Sequence, residues 1–137
     1  MMTNQLPVTD LDQLLKSMEP VLNPGIFVYV TVKHKEDLKS VNVFASIVET
    51  EGYSAVIEES DAIALGLPIL FRAAWITLTV VSDLQAVGLT AAFAGALAEA
   101  GISCNVVAGA SHDHLFVPVE RATDAMNALK GLQTAAL

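Results

Sequence analysis

A single cysteine, Cys104, stands in a chain of 137 residues, so no internal disulfide can form and a reducing, cytoplasmic compartment is expected. Charge is scarce too. Charged residues make up 16% of the chain, with 7 Lys and Arg against 15 Asp and Glu and a formal net charge of −8. The basic residues are scattered rather than clustered. Nucleic acid and anionic membrane surfaces both require a basic stripe, so neither is an expected partner. No run is apolar enough to span a bilayer, because the richest stretch, 86–110, carries Glu99 and several glycines. The first ten residues, MMTNQLPVTD, lack the basic and apolar regions of a signal peptide. The nucleophile-elbow, phosphate-loop and zinc-protease motifs are absent as well.

What is present is apolar. Hydrophobic residues reach 53%, which excludes disorder and is enough for one compact domain or two small fused ones. Leu11, Leu14, Leu15 and Met18 form a helical stripe behind a Thr9 cap, and Pro20 and Pro24-Gly25 are read as its end. Ile26 to Val32 is β-branched and aromatic and predicts a strand. Residues 33–40 read as a solvated loop. Val43–Glu49 and Tyr53–Glu58 read as a hairpin turning at Gly52, and Ser60-Asp61 as the cap of a short helix.

In the second half, Trp75–Val81 alternates as a strand, with Thr77, Thr79 and Val81 on a face the helices leave uncovered. A helix over 87–100 is expected to bury Leu89, Phe93, Ala96, Leu97 and Ala100. Gly88 and Gly95 would thin it for close packing on a sheet, and Gly101 would end it. Strands at Ile102–Ala108 and His114–Val119 and a helix at Arg121–Leu132 follow. Both halves contain a strand, a hairpin and a helix. The expected fold class is α+β: ferredoxin-like βαββαβ units, two in tandem, with an antiparallel sheet and helices on one face. The units are expected at 1–70, a degenerate first copy, and 71–137.

The stretch from Trp75 to Leu132 resembles an ACT domain of the kind that regulates aspartate kinases. The resemblance rests on Ala-Val-Gly-Leu (Ala86–Leu89), ALAEAGIS (Ala96–Ser103), Asn105-Val106-Val107 and HLFVPV (His114–Val119). The first half fits through its element order. The whole chain is similar to small bacterial tandem-ACT proteins and, more distantly, to the tandem-ACT cytosolic arginine sensors of animals. Asp83 lies five residues before Gly88, whereas many members place an aspartate three residues before that glycine.

The resemblance implies a non-catalytic sensor of a small amino acid, with no cofactor. It also implies a homodimer or a site between the two units, and a separate metabolic enzyme as the regulated partner. The ligand-binding residues would be Ala86, Val87, Gly88, Leu89, Asn105, Val106, Val107 and Asp113. A carboxylate would sit on the N–H groups of Val87–Leu89, at the positive end of a helix. Gly88 either lets that ligand approach or serves close helix–sheet packing. Asn105 either touches ligand or bonds the sheet edge. Asp113 is carried over from the arginine sensors, which hold ligand with an aspartate in this hairpin. A ligand-free module that assembles with an enzyme is the alternative. His112 and His114 share a face if extended, but His34 is the only other histidine and is distant, so solvated histidines rather than a metal site are expected. Cys104, in an apolar strand, is expected to be inert.

Overall fold

The computed structural model describes residues 10–80 and 83–135. Thr9, Val81 and Ser82, which the sequence placed in a cap, a strand and a loop, lie outside them. Helix α1 (Leu11–Ser17) starts at Asp10, whose carboxylate accepts the Gln13 amide N–H at 3.0 Å. Strand β1 (Pro20–Val32) follows, so the strand begins six residues earlier than the sequence suggested. Pro24 and Gly25 do not end an element. They make an irregularity within it, with Gly25 at φ 111° and a register shift between Asn23 and Phe27.

A 3-10 turn over Lys35–Leu38 takes the place of a first helix. Its Leu38 is buried against Val28, Val30 and Ile57, which corrects the expectation of a fully solvated loop. Strands β2 (Ala45–Glu49) and β3 (Gly52–Glu58) form the expected hairpin, and α2 (Glu59–Ala64) follows directly. Next come β4 (Phe71–Leu78), α3 (Leu89–Glu99), β5 (Asn105–Ala108), β6 (Asp113–Pro118) and α4 (Ala122–Ala135). At the end of α3, Gly101 adopts φ 73°, and the Arg121 guanidinium donates to the Ala100 and Gly101 carbonyls at 3.0 and 3.3 Å.

All six strands join one antiparallel sheet in the order β2-β3-β1-β4-β6-β5. The two long central strands serve both halves. Phe27–Tyr29 of β1 pair with Phe71–Ala73, adding the start of β4 beside the first hairpin. Pro20–Asn23 pair with Trp75–Leu78, adding the start of β1 to the second half. Each half is thereby a ferredoxin-like set of four strands, completed by a piece of the other.

The helices share one face of the sheet. Helices α1, α3 and α4 bury Leu14, Met18, Phe93, Leu97 and Leu129 on Ile76, Leu78, Leu115 and Val117. The turn at Leu38 and α2 cover Val28, Val30 and Ile57 on the same side. The opposite face carries Phe27, Val56, Ala73 and Phe116, with Tyr29, Phe71 and Trp75 packed against them. Its rings meet edge to face, Phe27 with Trp75 at 5.1 Å and Tyr29 with Phe116 at 5.8 Å.

Candidate functional site

The turn between β4 and α3 is built by Asp83. Its carboxylate accepts the Gln85 N–H at 2.8 Å, and its carbonyl accepts the Ala86 N–H at 2.9 Å. Gly88 then turns with φ 100° and serves as the N-cap of α3, its carbonyl accepting the Ala92 N–H at 2.9 Å. Glycine brings no capping side chain, so the first-turn N–H groups of α3 have no side-chain partner. The space a Cβ would take at Gly88 faces Leu11 Cδ2 at 3.2 Å. The glycine is thus required by the backbone angle and by contact with α1.

A cavity of about 70 Å³ opens at this helix start, lined by Asp83, Leu84, Ala86, Leu89, Thr90, Ala108 and Asp113. Asp113 is 9% exposed and is a buried acid of the core. Its carboxylate has no hydrogen bond among the described residues. Burial raises its pKa above the ordinary aspartate value, and the neighbouring His114 and His112 partly oppose the rise. One small cavity is thus lined both by an acid and by residues at the uncapped, positive start of α3.

The expected site residues separate into three places. Ala86, Leu89 and Asp113 come together around this cavity, with the backbone of Val87 and Gly88 in its wall-forming turn. The Val87 side chain is 85% exposed and points away from the core. Val106 and Val107 line a different cavity, of about 350 Å³, together with Tyr29 and residues of β2 and β3. Asn105 lines neither of these two; its side-chain amide donates to the Phe116 carbonyl at 3.4 Å, a bond within the sheet. Asp83, Leu84 and Thr90 are wall residues that the sequence did not single out, whereas Ala108 ends the strand whose carbonyls were expected to hold the ammonium. Asp83 was legible as a turn former, since an aspartate two residues before an unpaired N–H makes a side-chain turn.

The histidines are not simply solvated. His114 is half-buried, and its Nδ1 accepts the Trp75 indole N–H at 3.0 Å while lying 3.2 Å from Thr77 Oγ1. Asn23 Nδ2 donates to Thr77 Oγ1 at 2.9 Å, so the hydroxyl is oriented toward the imidazole. These bonds assign the proton of neutral His114 to Nε2. Burial lowers its pKa, with His112 adding to the effect and Asp113 opposing it. His112 Nδ1 lies 3.4 Å from the Val80 carbonyl. Cys104 is half-buried, and burial pushes its thiol up to about 11, which keeps it protonated and unreactive at neutral pH. Among the described residues, no helix is long and apolar enough to cross a membrane.

Two family models described as ACT domain match the chain, one over residues 7–74 and the other over 71–131. No curated protein matches. Among solved structures, the chain is similar to a Vibrio cholerae protein of unknown function described as a possible transport protein. The two are 46% identical, over 90% of this chain and 95% of that one, with a TM-score of 0.82. The regulatory subunit of aspartate kinase from Thermus flavus is 12% identical over 83% of this chain and 96% of its own, with a TM-score of 0.60. Aspartokinase III of E. coli, in complex with aspartate and ADP, is 13% identical over 82% of this chain and 32% of its own, with a TM-score of 0.62. At these low identities the two kinase likenesses show a common fold alone.

Proposed function

The chain belongs to the ACT domain family, and from that membership we propose that it is a non-catalytic regulatory protein that binds a small amino acid. The two units are taken as 1–70 and 71–137, working as a homodimer that acts on a separate metabolic enzyme. The ligand's carboxylate sits on the N–H groups of Val87–Leu89 and its ammonium on Asp113, with the Ala108 carbonyl beside it. The observation that carries this reading is the buried Asp113 carboxylate in the wall of a cavity that also holds the uncapped start of α3. A cavity of about 70 Å³ takes the head group and leaves a long side chain outside. The regulatory subunit and the aspartate-bound kinase that share the fold support the class of function by analogy.

A thermal-shift series with the twenty amino acids tests it. Free ligand at a hundred times its dissociation constant stabilises by about 2.7 kcal/mol, a rise of several degrees for a domain of this size. Asp113→Asn is expected to abolish that rise while folding normally. The raised folded pKa of Asp113 means stability is greatest below the unfolded aspartate value and is lost as pH rises through the folded one. Neutral asparagine removes that cost, so the variant should melt no lower than wild type at pH 7. Amino acids at millimolar concentration that leave the wild-type melt unmoved would overturn the sensor reading in favour of a ligand-free interaction module.

A further inference from the structure

The cavity that Val106 and Val107 line lies on the sheet face away from the helices. It measures about 350 Å³ and is lined by β2, β3 and Tyr29 on one side and by Val106, Val107 and Ala108 of β5 on the other. Strands β2 and β5 are the two opposite edges of the six-stranded sheet. A cavity lined by both edges implies that the sheet curls toward its helix-free face. The volume falls at the lower end of the range for ligand pockets.

Its chemistry is uniform. Ala45, Ile47, Val56, Val106 and Val107 supply aliphatic walls, and no charged side chain lines it. The polar lining groups are Tyr29, Ser46 and Ser54, and the Ser54 hydroxyl is already engaged by Glu49. The Tyr29 hydroxyl has no hydrogen-bond partner among the described residues. Burial raises its pKa, with Cys104 adding to the effect, so it stays a protonated donor. The hydroxyl is not sealed from water, so a bound acceptor would take the place of solvent there.

We propose that this cavity between the sheet edges is a second binding site, for a compact, uncharged, mainly apolar molecule bearing one hydrogen-bond acceptor that the Tyr29 hydroxyl engages. An ion is disfavoured because nothing in the lining compensates its charge, and a chain of net charge −8 repels an anion further. The site is independent of the amino-acid cavity at α3, with which it shares Ala108 alone among the lining residues.

The neutral dye 6-propionyl-2-dimethylaminonaphthalene, which carries one carbonyl, serves as the probe. Wild-type protein should give saturable, blue-shifted emission at one dye per chain, with energy transfer from Trp75, the only tryptophan. Val107→Phe fills the cavity from its edge and should abolish the signal. Tyr29→Phe removes the donor alone and should weaken binding about three- to ten-fold. Asp113→Asn should leave dye binding unchanged. The proposal is overturned by an absence of saturable binding or by affinity indifferent to Tyr29→Phe. It fails equally if the signal is lost in Asp113→Asn, or if it grows with protein concentration as an interface between copies would. Should Val107→Phe melt early, Tyr29→Phe decides the matter.

Discussion

Single residues here carry separable roles that substitutions can read. Gly88 at the N-cap and Gly95 about two turns into the same helix look equivalent in sequence, yet their surroundings differ. Gly88 has φ 100° and faces Leu11, whereas a Cβ at exposed Gly95 would meet nothing within 4 Å. The expectation that Gly95 thins the helix against the sheet is therefore corrected. Ala96 and Ala100, expected on the buried face, are half-buried and exposed, while Leu89, Phe93 and Leu97 form the contact. Gly95→Ala should raise stability by about 0.5–1 kcal/mol through helix propensity. Gly88→Val should lower it by roughly 1–3 kcal/mol from backbone strain, with or without ligand. Urea midpoints at constant slope distinguish the two. Loss of ligand response in Gly88→Val alone therefore says nothing about the site.

His114 offers a second test at this scale. Its folded pKa lies below the ordinary imidazole value, so its contribution to stability is complete above the unfolded pKa and is lost as pH falls through the folded one. Protonation at Nδ1 also removes the acceptor of the Trp75 indole N–H. Since Trp75 is the only tryptophan, its fluorescence should report the titration directly, with a midpoint below 6.5 that disappears in His114→Gln. A midpoint above 6.5 would contradict the buried, neutral assignment.

At the scale of elements, the sequence showed the order of the second half and part of the first, although β4 starts at Phe71 rather than Trp75 and β5 at Asn105 rather than Ile102, which leaves Cys104 just outside the strand. The α1 stripe, the β2–β3 hairpin turning at Gly52, and the helix closed by Gly101 are all local signals, set by periodicity and by φ. The start of β1 was hidden because Pro24-Gly25 reads locally as a stop. Cross-strand partners on β4 hold both sides of the irregularity in one strand, and no local signal contains that pairing. The burial of Leu38 was hidden for a similar reason: a leucine among KHKEDLKS looks incidental until Val28, Val30 and Ile57 appear beneath it. In the candidate site, the helix start and Asp113 were legible, one from its glycine and the other from the resemblance. The second cavity was not. It depends on how far a six-stranded sheet curls, a property that the spacing of residues along one strand does not encode.

For the whole molecule, an apolar sheet edge and a negative net charge act in opposite senses on self-association. Strand β2 is an outer edge, with Ile47 63% and Val48 80% exposed, and it carries no lysine, proline or bulge to deter another strand. The far face is less open than the sequence suggested, since Thr77 is engaged by Asn23 and lies beside His114, and Thr79 donates to the Glu19 carbonyl at 3.0 Å. The β2 edge is thus the stronger surface for self-association. Two copies paired there antiparallel would bring their Val48 side chains close about a two-fold axis. Sedimentation equilibrium at high micromolar concentration should give twice the mass of the 14.5 kDa chain. Val48→Lys should return the single-chain mass with little change in melting, because it sets like charges against each other only in the pair. Salt provides an independent sign. Each chain carries −8, so the paired chains repel, and screening should tighten the dimer as ionic strength rises. An interface built on ion pairs would weaken instead, and a clean monomer at every salt concentration would exclude the edge as a self-pairing surface.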